Sequence, residues 1–225
     1  MTTSSPDSVR TTARTTRWWW VRHAPVVANQ GRCYGQIDHP CNTDDPQAYR
    51  RLAEILPREA AWVTSTLRRT HETAAAIVAA GLPGPTVFPG PGVTVEADLA
   101  EQHFGDWQGQ TYTALAEQQA EAYHRFWLAP ASERPPGGES FVDLVARVAR
   151  SIHGLNQRFA GRDIIAVAHG GTIRAALALA LDLPPESALT FAVDNISITR
   201  LDHFPVDAGG QGNEWRVNFT NRPPR

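Results

Sequence analysis

Apolar residues fall along this chain either in short unbroken runs or in stripes of helical spacing, and polar, Pro- and Gly-rich stretches separate them. Trp18-Trp-Trp-Val21 predicts a short, bulky strand that ends at Arg22-His23. Residues 24–45 carry Pro25, Gly31, Gly35 and Pro40 and read as a long loop, which in a compact domain is usually functional. Asp45-Pro46 predicts a helix start, with Asp as N-cap and Pro at the first helical position, running to about Leu56. Ala61–Thr64 reads as a strand, and Leu67 to Ala80 as a helix stopped by Gly81. Pro and Gly punctuate residues 81–92, and Val93 to Ala97 follows as a strand. Thr113 to Leu128 reads as one helix and Pro130 to Gly138 as a loop. Ser140-Phe-Val-Asp143 resembles a capping box, and the stripe Phe141, Leu144, Val148, Ile152, Leu155, Phe159 has helical spacing, so it faces the core. Asp163–Ala168 is nearly continuous apolar sequence, the pattern of a central parallel strand. Gly170-Gly171 precedes a helix from Thr172 to Leu181. Ile196 to Leu201 and Trp215 to Phe219 read as late strands, with an antiparallel arrangement open. Strands alternating with helices predict an α/β fold with a mostly parallel sheet.

Composition narrows the chemistry. The chain has 225 residues, 42% hydrophobic and 20% charged, with a net charge of −2. That suits one domain over residues 18–225 and gives no basic excess for nucleic acid. All 21 basic residues are arginine. Schiff-base, pyridoxal-phosphate and P-loop lysine chemistry are therefore excluded, and any anion site must use arginine, histidine and backbone amides. Two cysteines, Cys33 and Cys41, make no disulfide framework and fit a reduced, cytoplasmic chain. The longest apolar run, Ala175 to Leu181, is far short of the ~20 residues that span a bilayer, so no membrane partner is expected. Residues 1–17, rich in Ser, Thr and Arg with one acid, Asp7, read as a disordered tail.

Two strand ends carry histidine. Trp18–Val21 leads into Arg22-His23, and Ile164–Ala168 into His169-Gly-Gly. Ligands of open α/β sheets bind at the carboxyl ends of strands, so both histidines can face one pocket. Gly170 and Gly171 allow backbone amides to approach an anion at a helix start. A third strand leads into Ser65-Thr-Leu-Arg-Arg69 at another helix start. Taken singly, Arg-His reads as a surface pair, His-Gly-Gly as a turn and Arg68-Arg69 as a solvated helix face. Together they make a phosphate cradle without metal or lysine. His39, His71, His124, His153 and His203 have no ligand-like grouping, so no metal or other cofactor is expected. Trp18–Trp20 read as core and sheet-face residues, and Asn195 as a structural turn residue.

The order of these segments resembles the histidine phosphatase superfamily, the phosphoglycerate-mutase-like fold, from about Trp18 to Leu201. Arg22-His23 matches its Arg-His motif, and Asn29 falls where its loop asparagine falls. Thr64-Ser-Thr-Leu-Arg-Arg69-Thr-His-Glu-Thr73-Ala74 matches a further motif and selects Arg69 over Arg68. Leu99-Ala-Glu101-Gln-His-Phe-Gly105-Asp-Trp107-Gln-Gly109 matches the acidic segment, with Glu101 at the proton-donor position. Pro136-Gly-Gly-Glu139-Ser140 and His169-Gly-Gly-x-x-Arg174 match two more.

The resemblance implies a three-layer fold, a mostly parallel central sheet with helices on both faces. It also implies a phosphatase for a small phosphorylated metabolite. His23 would attack phosphorus, while Arg22, Arg69 and His169 hold the phosphoryl oxygens. Asn29, Glu101 and Gly170 join the substrate-binding set. Glu101 would protonate the leaving oxygen and then activate water. Glu96, Asp98, Asp106 and His103 flank it as alternatives that the motif disfavours. His169, near a carboxylate, is expected to be cationic. Ala24-Pro25 stands where the family has Gly-Glu, so the loop is expected to enter the pocket differently. The lost glutamate and the short insertion with only Arg125 and Arg134 disfavour a phosphoglycerate mutase. Gly31-x-Cys33-Tyr34-Gly35-Gln36-x-Asp38 resembles a loop of α-ribazole phosphatases. A non-catalytic binder of phosphorylated ligands is the alternative of another class. The oligomeric state is not legible.

Overall fold

The computed structural model describes residues 15–27, 29–205 and 214–224. The tail expected over 1–17 lies outside the described residues up to position 14, and its last two residues already belong to a strand.

That strand is β1 (Thr16–Arg22), two residues longer at its start than the Trp run predicted. α1 (Pro46–Ile55) begins as expected, with the Asp45 side chain accepting from the Ala48 amide at 3.0 Å. β2 (Ala61–Thr64) and α2 (Arg68–Ala79) follow, and Gly81 ends the helix with φ +113°, which favours glycine. β3 (Val93–Val95) is shorter than expected because residues 97–99 turn into a 3₁₀ segment. The single helix expected over 113–128 is two, α3 (Tyr112–Gln118) and α4 (Ala120–Leu128). They break at Gln119, whose φ of −129° and ψ of 37° leave the helical region. The Gln119 side chain accepts from the Trp107 indole at 2.8 Å.

α5 (Phe141–Arg158) starts on a complete capping box between Ser140 and Asp143. β4 (Asp163–Ala168) leads into α6 (Gly170–Leu181), which starts two residues earlier than predicted because Gly170 and Gly171 are already helical. α7 (Pro185–Ala188) is one turn. β5 (Ile198–His203) and β6 (Trp215–Arg222) complete the fold. β5 starts later than expected because Ile196 has φ +54°, outside any strand conformation.

The six strands form one sheet in the order β3-β2-β4-β1-β5-β6. The first four are parallel, and β5 and β6 are antiparallel. Residues alternate across β4. Ile164, Ala166 and Ala168 join the core under Phe141, Leu144, Val148 and Ile152 of α5. Ile165 and Val167 face Tyr49 and Leu52 of α1 and Ile77 of α2. Helices therefore cover both faces, as the resemblance implied. Trp18 and Trp20 are fully buried and stacked with centroids 4.8 Å apart, so the tryptophans are core and not a platform for bases. Among the described residues no helix is long and apolar enough to cross a membrane.

Candidate active site

Strand register builds the site. β1 and β4 pair Arg22 with Ala168, so His23 and His169 leave the sheet side by side. The His23 amide donates to the Ala168 carbonyl at 2.9 Å, and the two imidazole centroids are 5.2 Å apart. β2 pairs Thr64 with Val167, which brings Ser65 to His169 with Oγ 2.7 Å from Nε2. Both rings are fully buried.

The tautomer of His23 follows from its bonds. Nδ1 lies 2.7 Å from the Ala24 carbonyl, which can only accept, so Nδ1 carries the hydrogen. Nε2 is then left with its lone pair, and it is buried with no partner among the described residues. Burial and the neighbouring charges of Arg69 and Arg22 push the His23 pKa down to about 3, so the ring is neutral. Ala24 is not among the residues with positive φ, and its amide donates to Thr73 Oγ1 at 2.8 Å. Alanine therefore fits in place of glycine without left-handed strain, and its carbonyl aims the histidine. Asn195 is the turn residue expected, and its Nδ2 holds the His23 carbonyl at 2.7 Å.

Arg69, on the first turn of α2, is fully buried and donates to the carbonyls of Ile37 and Gly35 at 3.0 and 2.6 Å. Its Nε donates to His169 Nδ1 at 3.2 Å. Arg68 lies outside the pocket and bonds Glu72. His169 does not carry the expected charge. A guanidinium donor requires a lone pair at Nδ1, so the hydrogen is on Nε2 and faces Ser65. Burial first, and then Arg69, push the His169 pKa well below its ordinary value. The ring is neutral.

Two buried histidines that stay neutral make stability depend on pH. The folded pKa of His23 lies below the ordinary 6.5, so below about pH 6.5 the unfolded chain binds the proton that the folded chain refuses. Their contribution is whole above that pH and is lost as pH falls. Tm should therefore drop between pH 7 and pH 5, before most carboxylates titrate at about pH 4. A Tm that stays flat across that interval contradicts neutral burial.

Arg22 donates through Nη1 to the Val193 carbonyl at 2.6 Å, while its Nε is buried without a partner among the described residues. A Cβ added at Gly170 would lie 3.6 Å from that Nε and 3.4 Å from Arg174 Nη1. Gly170 therefore sits between two guanidinium groups, each at ordinary contact distance from where a Cβ would stand. Gly171 does something other than expected. Its amide donates to the Glu101 carboxylate, at 3.1 Å to Oε1, so this helix-start amide holds the acid. The Glu101 carbonyl accepts from Gln36 Nε2 at 2.8 Å and from Arg147 Nη2 at 3.0 Å. Arg147 also binds the Asp98 and Ala100 carbonyls and pairs with Glu139 at 2.7 Å. The acidic loop is thus clamped onto α5.

Among the flanking alternatives, Asp98 pairs with Arg150 at 3.7 Å, and His103 Nδ1 accepts from the Gly105 amide. Asn29 is not brought into the cluster, for its Nδ2 donates to the Arg32 carbonyl at 3.3 Å. Sequence reasoning gave no role to Ser65, Arg147 or Arg174. Ser65 and Arg174 stand inside motifs already noted. The bonds of Arg147 to the acidic loop span more than forty residues, and no local pattern reports them. No group of three or more His, Cys, Asp or Glu side chains among the described residues could hold a metal ion.

The chain is 33% identical over 183 residues to a bifunctional protein of Mycobacterium tuberculosis, covering 80% of this chain. It spans only 48% of that relative's length. A metal-independent phosphoserine phosphatase of Arabidopsis thaliana is 33% identical over 174 residues, covering 75% of this chain and 70% of that one. Among solved structures, mycobacterial glucosyl-3-phosphoglycerate phosphatase superposes with a TM-score of 0.75 at 29% identity, covering 93% of this chain and all of that one. The family model for the histidine phosphatase superfamily, branch 1, matches residues 18–214, which include Arg22-His23, Arg69, Glu101 and His169. With that match laid over a sheet that sets the two histidines side by side, the chain belongs to the histidine phosphatase superfamily.

Proposed function

We propose that the protein is a metal-independent phosphatase that hydrolyses a small phosphomonoester through a phosphohistidine. The observation that carries this reading is the bare, buried Nε2 of His23. Leaving a buried acceptor unpaired costs about 1–3 kcal/mol, so a protein keeps one where a ligand or a reaction uses it.

Nε2 attacks phosphorus as the bond from phosphorus to the leaving oxygen breaks. Arg22 and Arg69 border the position, and Arg174 adds a third guanidinium behind Gly170. Arginine suits spreading negative charge because its planar fork binds oxygen pairs and stays protonated. His169 is neutral, so it contributes as a hydrogen-bonding group that holds Arg69 and Ser65 and not as a charge. Glu101 gives its proton to the leaving oxygen. The carboxylate then takes a proton from water, whose oxygen attacks phosphorus. Phosphate leaves and His23 is restored. Asn29 would join the substrate-binding set only by leaving the Arg32 carbonyl.

Hydrolysis is favoured over mutase action. Arg125 is paired with Glu133 at 2.9 Å, and Arg134 with Asp143 at 2.8 Å. Each cation already has an acidic partner on this chain, so a second acidic group would have to compete for it. The catalytic unit we assign is residues 18–225, acting on a small phosphorylated metabolite in the cytoplasm.

The test is phosphate release from p-nitrophenyl phosphate after exhaustive EDTA treatment. Turnover should persist unchanged, because the arginines supply the charge that a divalent ion supplies elsewhere. Complete loss, restored by one divalent ion, would reverse the reading. So would conversion of 3-phosphoglycerate to 2-phosphoglycerate, primed by 2,3-bisphosphoglycerate, without phosphate release.

A further inference from the structure

Beside the histidines lies a cavity of about 380 Å³, within the range of small-molecule sites. Glu101, Gly171 and Arg174 are among its lining, and the rest is largely aromatic. Phe104 and Trp107 come from the acidic segment, and Tyr112, Tyr123, Phe126 and Trp127 from α3 and α4. The rings brace one another. Trp107 meets Phe126 edge-on at 5.1 Å, and Phe126 meets Trp127 at 5.4 Å.

Among the polar groups of this lining, Gln102, Arg174 and the Trp107 indole are engaged, while the Tyr112 and Tyr123 hydroxyls and the Trp127 indole carry no hydrogen bond within the described residues. Gln102 donates through Nε2 to the Glu139 carbonyl at 3.0 Å. Arg174 donates through Nε to the Phe191 carbonyl at 2.8 Å, and its Nη1 lies beside Gly170, on the same side as Arg22. Its charge therefore belongs to the phosphoryl end. A sugar or polyol in such a chamber would lose water from several hydroxyls against walls that are mostly ring face, with those ring-edge groups and Glu101 as its partners. A flat apolar group would replace water against the ring faces.

We propose that the alcohol released from the substrate is aromatic or otherwise apolar, held between the acidic segment and α3–α4. This rests on the phosphatase reading above. The Tyr112 and Trp127 side chains reach solvent, with 50% and 54% of each residue exposed, and form the rim by which the group enters.

The experiment compares kcat/KM for 2-phenylethyl phosphate and glycerol 1-phosphate. Both release a primary alcohol, so the chemical step makes similar demands and the ratio reports the pocket. The ratio should favour 2-phenylethyl phosphate by at least about tenfold, since even one methylene in an apolar pocket is worth roughly 10–200-fold. Trp127→Ala and Tyr112→Ala, at half-exposed positions that the fold tolerates, should each lower that ratio several-fold. A ratio near or below one, with p-nitrophenyl phosphate still hydrolysed, overturns the pocket assignment alone. A high ratio that neither variant changes overturns it too. Failure to hydrolyse all three esters overturns the phosphatase reading and this one with it.

Discussion

His23→Ala should abolish turnover, with a loss on the order of 10⁴–10⁶-fold, the scale seen when a covalent nucleophile is removed. The reason is local. Nε2 is the buried imidazole acceptor without a partner, and Nδ1–H to the Ala24 carbonyl aims it. A labelled phosphomonoester quenched rapidly without acid should leave its label on His23, and the variant should carry none. Folding should survive, because the lost side chain makes one hydrogen bond, while the Ala24 amide keeps its bond to Thr73 and the His23 carbonyl keeps its bond from the Asn195 side chain. An unchanged far-UV spectrum and Tm near neutral pH check this. Label recovered on Ser65, which lies against His169, or on Cys33 would end the covalent assignment. Burial pushes the Cys33 thiol up to about 12, so it is a poorer nucleophile than the neutral His23 imidazole.

Glu101→Gln should cost about 10²–10⁴-fold on an alkyl phosphate and much less on p-nitrophenyl phosphate. A poor leaving alcohol builds negative charge on its oxygen and needs a proton, whereas p-nitrophenolate leaves unaided. Glutamine is the sharp substitution because its amide oxygen can keep the bonds from the Gly171 and Gln102 amides, at 3.1 and 2.9 Å in the native chain. Position is retained and only the proton is lost. Inorganic phosphate should still inhibit the variant, since Arg22 and Arg69 remain. Equal losses on both esters, or lost phosphate inhibition, would move the acid role to Asp98, Asp106 or His103.

Local signals reported the elements that local chemistry builds. Asp45-Pro46 and Ser140…Asp143 start helices by capping, and both caps form. The apolar run 163–168 is a central strand because both its faces are covered. The errors sit where a distant residue or an unusual dihedral intervenes. Gln119 breaks the helix expected over 113–128, and the left-handed Ile196 delays β5. A nearby carboxylate predicts a charged His169, but the ring is neutral. Sequence neighbours could not reveal that a guanidinium aims a hydrogen at Nδ1.

The sequence alone therefore determined which groups are there to take part: an arginine-histidine set, one acid in a loop after Leu99, and no lysine. Identity and order of residues carry that much, because the chemistry of a side chain is intrinsic to it. Only the tertiary structure decided how those groups behave. Parallel pairing of Arg22 with Ala168 sets the two imidazoles 5.2 Å apart, although 146 positions separate them in the chain. Complete burial, felt only in the folded state, makes both rings neutral. Helices α3 and α4 close an aromatic wall over Glu101, although no single one of those rings stands out in the sequence. Register, burial and solvent exclusion arise from contacts between distant segments, and those contacts exist only once the chain has folded.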